Sequence, residues 1–202
     1  MTSNAQNFTL RRRTIVPELL KDRGDMLVVA GLGSTAWDIT AAGDHDLSFP
    51  LWGAMGGAAS IGIGLAIAQP KRRVLVVTGD GEMLMGMGSL ATAARLDLVN
   101  LSICVLDNEH YAETGMQTTH TSLSTNLAEI ASGCGFENAV TVSSENELAN
   151  VLPRLKKGPG MQFASIKVRI EKLDFSLPPK DGVYLKTRFR KAILGDSAIA
   201  SS

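Results

Sequence analysis

Two short polar interruptions in apolar sequence carry the residue types from which chemistry can be built. The first, Gly79-Asp80-Gly81, directly follows the β-branched run Val74–Thr78; the second, Asp107-Asn108, directly follows Leu101–Leu106. Glycines let the backbone approach a ligand closely and leave N–H groups available where a helix begins, which suits a phosphate. Asp80 in the same turn would repel a bare phosphate, so a cation between the two resolves the conflict. An Asp carboxylate, an Asn amide oxygen and phosphate oxygens are hard ligands, the set Mg²⁺ prefers. A solitary Gly-Asp-Gly is more often an ordinary turn with a helix-capping Asp. The strand-terminal Asn that follows makes that bland reading the weaker one.

For the two turns to meet, the runs preceding them must be neighbouring strands. Both are continuous and apolar, as strands buried on two faces are. Between them Met83, Leu84, Met87, Leu90, Ala91 and Ala94 recur at helical spacing, which predicts a helix. Strand, helix and parallel strand form a crossover unit whose strand ends share one edge of the sheet, where open α/β sheets bind ligands. Met26–Ala30 predicts a third strand, ending at Gly31-Leu32-Gly33-Ser34-Thr35. That Gly-x-Gly is a weak dinucleotide signal, because no acidic residue follows at the right distance after a clear second strand; Ser34 also suits a helix N-cap.

The remaining elements follow the same rules. Leu51–Gln69 predicts a helix rich in glycine and alanine, costly in propensity and so repaid by close approach to a partner's helix or a flat ligand. Pro17–Lys21 predicts a short helix with its proline in the first turn. Asn126–Gly135 predicts a glycine-capped helix, Ala139–Val142 a strand, and Glu145–Lys157 a helix with Leu148, Val151, Leu152 and Leu155 on one face. Gln162–Val168 predicts the last strand, and Lys186–Leu194 a short helix that docks on a partner. The fold class is α/β, a three-layer sandwich around a mostly parallel central sheet. Residues 1–13 are expected to be flexible, 14–170 to form the binding domain, and 171–202 to form a C-terminal tail.

Composition narrows the function classes. The 202 residues hold 20 Lys plus Arg and 20 Asp plus Glu, so no charge imbalance points to nucleic acid or acidic lipid. Cys104 and Cys134 make no metal or disulfide framework and read as buried free thiols. Met1–Thr14 lacks the apolar core of a signal peptide, no run reaches membrane-spanning length, and the cytoplasm is the expected location.

Gly79-Asp80-Gly81, the intervening helix and Asp107-Asn108 together resemble the diphosphate-and-metal signature of thiamine diphosphate-dependent enzymes. The usual second element is Asn-Asn, and Asp107 is a departure. The resemblance implies Mg²⁺ held by Asp80, Asn108 and the backbone carbonyl of His110, with Gly79, Gly81, Glu82, Ser34, Thr35 and Tyr111 around the diphosphate. Gly53-Ala54-Met55-Gly56 resembles the family segment beneath the cofactor, which implies that the Gly53 carbonyl binds the aminopyrimidine and that Met55 wedges the two rings into a V. The polar stretch Tyr111–Thr121 would cover the thiazolium, with Glu113, Thr114 and His120 as candidates for proton handling or carboxylate contact.

Gly-Ala-Met-Gly, Gly-Asp-Gly, Leu-Asp-Asn and Thr-Gly-x-Gln at Thr114–Gln117 are most similar to the β subunits of sulfopyruvate decarboxylases and the C-terminal half of phosphonopyruvate decarboxylases. That likeness implies a lyase that decarboxylates a small 2-oxo acid to an aldehyde. No stretch matches the segment that carries the family's activating glutamate. A separate pyrimidine-binding α subunit would supply it in a hetero-oligomer, α2β2 or larger. An acetolactate synthase-like carboligase uses the same half-site, and a non-catalytic cofactor-binding regulatory subunit is the reading from another class. A dehydrogenase domain would leave Asp80 and Asn108 idle, and no Gly-Lys-Ser/Thr supports a P-loop. A sulfonate or phosphonate calls for Arg or Lys, which His110–Thr121 lacks; the partner is the expected source.

Overall fold

The computed structural model describes residues 4–200. In chain order it contains α1 (Arg12–Leu20), β1 (Leu27–Ala30), α2 (Ser34–Ala41), β2 (Ser48–Pro50), α3 (Ala58–Ala68), β3 (Val74–Gly79), α4 (Asp80–Met85), α5 (Ser89–Leu96) and β4 (Leu101–Asp107). Then follow the two-residue strands β5 (His110–Tyr111) and β6 (Gln117–Thr118), α6 (Leu127–Cys134), β7 (Asn138–Val142), α7 (Glu145–Lys157), β8 (Gln162–Lys167), α8 (Gly182–Leu194) and α9 (Ser197–Ala200). The central sheet runs β2-β1-β3-β4-β8-β7, every pairing parallel. Alternate residues serve opposite faces, as strand geometry requires. Val74, Val76, Leu101 and Ile103 join the core beneath α3, α5 and α6; Leu75, Val77, Cys104 and Leu106 join the core beneath α1, α2 and α7.

The chain leaves β1 towards β2 on one side and returns to β3 on the other, so the strand order reverses between β1 and β3. Such a switch point opens a crevice at the carboxyl ends of the strands. The β3–β4 register pairs Gly79 with Leu106. Asp80 and Asp107 therefore leave the sheet abreast, and Asn108 stands one residue beyond.

Several local expectations are revised. Residues 4–13 are anchored rather than loose: Ala5 and Leu10 are buried, the Arg169 N–H donates to the Leu10 carbonyl, and the Ile170 N–H donates to that of Ala5. Met1–Ser3 lie outside the described residues. Helix α1 starts five residues before Pro17, because Arg12, Ile15, Val16 and Leu19 form one buried face and packing outweighs the hydrogen bond that proline removes. Helix α3 starts at Ala58, not Leu51; residues 51–57 form an irregular segment over the crevice. Its close approach is made within the chain, since a Cβ on Gly62 would lie 2.2 Å from Val76 Cγ2, whereas Gly64 meets nothing.

The C-terminal segment straps the C-terminal edge of the sheet. Arg13 donates to the Asp174 carbonyl at 2.8 Å, Phe175 meets Trp37 edge-on at 4.6 Å between centroids, and the Trp52 indole N–H donates to the Pro179 carbonyl at 2.8 Å. Helix α8 then docks on its own chain through Phe189 against Phe49 and Arg188 to Asp44, covering edge strand β2, which would otherwise be open to unwanted pairing. Val183 and Tyr184 stay exposed. No helix among the described residues is long and apolar enough to cross a membrane.

Candidate cofactor and metal site

The switch-point crevice is lined by Ser34, Thr35, Met55, the turn Gly79–Glu82, Asn108, His110, Tyr111, Glu113 and Thr114, joined by Arg12, Leu32, Met85, Leu106, Ala112 and Val168. Residues far apart in sequence thus converge on one cleft. Two expected members are absent from its lining. Gly53 is exposed beside it in the 51–57 segment, and His120 is exposed on the following loop. The residues flanking His120 carry no comparable signal in the sequence, yet they turn inward. The β5–β6 hairpin pairs His110 with Thr118 and brings the Thr119 N–H to the Glu109 carbonyl at 2.8 Å. Thr119 and Thr121 are buried as a result.

These two hydroxyls hold the floor of the crevice. Thr119 Oγ1 donates to Asp80 Oδ2 at 2.5 Å, and Thr121 Oγ1 donates to Asp107 Oδ1 at 2.7 Å, with 2.9 Å between the hydroxyls. Asp107 in turn accepts from Lys167 Nζ at 2.9 Å, and Lys167 also meets Glu109 at 3.1 Å. Asp107 is thus charge-compensated inside the protein, which is how a carboxylate is accommodated at this buried position. Asp80 is only 1 % exposed, and its side-chain contacts are hydroxyls. Burial, and then the negative charge of Asp107, push the Asp80 carboxyl up to about 7.

Asn108 is half-buried, and its Oδ1 accepts the His110 N–H at 3.0 Å; His110 Nδ1 lies 2.8 Å from the Asn108 carbonyl. The turn is thereby fixed with the amide oxygen oriented. Tyr111 packs so closely over Gly81 that a Cβ there would lie 2.5 Å from its ring, and Glu113 lies equally close to Gly33, whose φ is +79°. Only glycine fits these two turns.

Glu82, expected at the cofactor, lines the crevice and also ties its walls together. Its carboxylate accepts from Thr78 Oγ1 at 2.9 Å and from the Ala58 N–H at 3.3 Å, and it also accepts from the N–H groups of Leu32 and Gly56. It ties the β1 turn and the 51–57 segment to the end of β3. Burial raises its carboxyl above the usual range. Gly31 makes room for this, since a Cβ would fall 1.6 Å from Glu82 Oε2. The tie holds Met55, which is 60 % exposed at the crevice beside Met85. Gly86 seats the same segment, because a Cβ there would lie 2.1 Å from the Gly56 carbonyl oxygen. Gly86→Ala is therefore expected to displace residues 53–57 and to cost about 1–3 kcal/mol, read by urea denaturation together with a change in Trp52 emission. Unchanged emission and stability would show that this segment is not seated there.

Among the described residues no cluster of three or more His, Cys, Asp or Glu could hold a metal. A divalent ion here would rely on a mixed oxygen set. The donors fit a hard cation: Asp80 is a buried carboxylate held by the hydroxyls of Thr119 and Thr121, and Asn108 offers an oriented amide oxygen one strand away. A glycine turn, Ser34 and Thr35 at the start of α2 (the Thr35 hydroxyl donating to the Gly31 carbonyl at 2.8 Å), an acidic floor and an apolar ledge line one cleft, a set that suits a diphosphate carried by an organic cofactor.

The comparisons agree with that class. The profile described as thiamine pyrophosphate enzyme, C-terminal TPP binding domain, matches residues 33–166, and the chain belongs to this family. It is 34% identical over 187 residues to sulfopyruvate decarboxylase subunit beta of Methanocaldococcus jannaschii, covering 91% of this chain and 97% of that one. It is 35% identical over 156 residues to phosphonopyruvate decarboxylase of Streptomyces viridochromogenes, covering 77% of this chain but 39% of that protein. Benzoylformate decarboxylase from Polynucleobacter necessarius shares the fold with a TM-score of 0.65 at 16% identity, over 86% of this chain and 36% of its own.

Proposed function

We propose that this chain is the diphosphate- and Mg²⁺-anchoring subunit of a thiamine diphosphate-dependent decarboxylase acting on a small 2-oxo acid of the sulfopyruvate or phosphonopyruvate kind, releasing CO₂ and an aldehyde. The observation that carries the reading is the convergence of buried Asp80 and oriented Asn108 at the switch point, beside the β1 turn and the Met55 ledge. Asp80, Asn108 and the His110 carbonyl would hold the cation; Gly79, Gly81, Ser34 and Thr35 would receive the diphosphate, and Tyr111 would close over it. Met55 would support the V between the rings. When bound, the cofactor would supply a nucleophilic ring carbon for the substrate carbonyl and a ring cation as the sink for the electron pair left when CO₂ departs. Glu113 and Thr114, at the exposed mouth, are the substrate-side candidates on this chain.

The activating glutamate is assigned to a separate pyrimidine-domain subunit in an α2β2 or larger assembly. Glu82 supports this division, because its carboxylate is engaged by donors from the β1 turn, the 56–58 stretch and β3 of its own chain. The subunit beta name of the relative matched over nearly its whole length points the same way. Calorimetry with thiamine diphosphate and Mg²⁺ tests the proposal, on this chain alone and with a pyrimidine-domain chain. Binding is expected to be weak alone and tighter in the complex. Asn108→Ala is expected to weaken it at least about 100-fold and to abolish CO₂ release. Unchanged binding in both Asp80→Ala and Asn108→Ala would remove the metal assignment.

A further inference from the structure

We propose that Arg12, at the start of α1, is a fixed counter-charge for the diphosphate in this crevice; the inference rests on the thiamine diphosphate reading above. Arg12 is the one Lys or Arg among the described residues that line the crevice. Its side chain is 8% exposed, although arginine is almost never so buried without a reason. Nη1 lies 3.4 Å from the carbonyl of Ser34, the first residue of α2. The guanidinium therefore stands beside the turn whose Ser34 and Thr35 face the same cleft.

Charge accounting shows what this arginine is placed for. Arg12 and Arg13 both meet the same oxygen, Asp38 Oδ1, each at 2.5 Å. Two guanidinium groups, buried Arg12 and partly exposed Arg13, share one carboxylate, so the cluster keeps a surplus positive charge. Asp38 Oδ2 is buried without a hydrogen-bond partner. A pair built for its own stability would use both oxygens in a fork. Asp38 instead takes Arg12 by a single oxygen, an arrangement that aims the planar donor set rather than saturating it. A diphosphate with Asp80 brings more negative charge than one divalent cation cancels, and buried Arg12, whose carboxylate partner is shared with Arg13, is the positive group that faces it. The fork of N–H donors on arginine matches phosphate oxygens, where a lysine would act as a point charge. The sequence hid this role, because Arg12 lies 68 residues from Asp80 within Arg11-Arg12-Arg13.

The test compares wild type with Arg12→Gln, Arg12→Lys and the double variant Arg12→Gln/Asp38→Asn, in which no buried carboxylate is left bare. Affinity for inorganic pyrophosphate and for thiamine diphosphate is measured by calorimetry at fixed Mg²⁺, at two salt concentrations, with melting temperature recorded alongside. We expect the double variant to melt close to wild type and to bind both anions at least about tenfold more weakly. Its salt dependence should be shallower, and Arg12→Lys should fall between. Wild-type affinity in the folded double variant would overturn the role of Arg12 and leave the cofactor reading intact. A wild-type chain that binds neither anion, alone or with a pyrimidine-domain chain, would overturn both.

Discussion

Asp80→Asn is expected to make the ligand-free chain more stable than wild type above pH 7, while abolishing the stabilisation conferred by Mg²⁺ with thiamine diphosphate. The Asp80 carboxyl titrates at about 7 in the fold, against an ordinary value of 3.8, chiefly through burial and then through Asp107. Between those values the folded chain holds a proton that the unfolded chain gives up. Stability from this group is therefore complete below about pH 4, is lost as pH rises towards 7, and stays low above it. Asparagine cannot ionise, and its amide oxygen can still accept from Thr119. The gain at pH 8 should be on the order of 2 kcal/mol. A divalent cation reverses the sign for wild type, since it binds only the ionised carboxylate: its affinity should rise with pH and level off above about 7. Urea melts from pH 5 to 9, with and without Mg²⁺ and cofactor, separate the two effects. An Asp80→Asn variant that is less stable than wild type at every pH would show Asp80 to be a structural group rather than one held in reserve for a cation.

The legible part of this molecule was the part written in local pattern. Val74–Thr78 and Leu101–Leu106 announce themselves as strands because both faces are buried, and the turns that follow them had to share an edge. The glycine cap of α6 and the apolar face of α7 were equally local, and both appear where periodicity put them. What escaped was fixed by contacts between distant segments. The helix expected from Leu51 fails to form until Ala58 because Glu82 captures the Gly56 and Ala58 N–H groups and Ala54 takes a φ of +59°. In Thr119-His120-Thr121 histidine has the more obvious chemistry, yet the hairpin turns the threonines inward and leaves the imidazole outside. Lys167 lies 58 residues beyond Glu109 and gave no local sign of compensating Asp107. The stretch His110–Thr121 holds no Lys or Arg, and the one that lines the crevice among the described residues, Arg12, comes from α1 instead.

Lys167→Met is expected to be the most damaging change outside the proposed cation ligands. Asp107 is 1 % and Glu109 6 % exposed, and Lys167 meets both. Removing one partner of a buried ionic cluster costs more than the cluster contributes, because the opposite charges stay behind desolvated. Burial alone would lower the Lys167 ammonium, yet Asp107 and Glu109 together raise it, so Lys167 is charged at neutral pH. The loss should be about 2–4 kcal/mol. It should also reach the cofactor, because Asp107 is linked through Thr121 and Thr119 to Asp80. Freed from Lys167, Asp107 would compete for those hydroxyl protons and shift the floor on which the cation rests. The compensating change is Asp107→Asn, which keeps the side chain's shape and removes the unbalanced charge. Lys167→Met/Asp107→Asn should recover at least half of the lost stability and most of the Mg²⁺-dependent affinity for thiamine diphosphate, whereas two independent sites would show additive losses. Urea denaturation and cofactor titration of the four proteins in this cycle decide between those outcomes: additivity would mean that Lys167 and Asp107 act separately, and that the site tolerates its aspartate for some other reason.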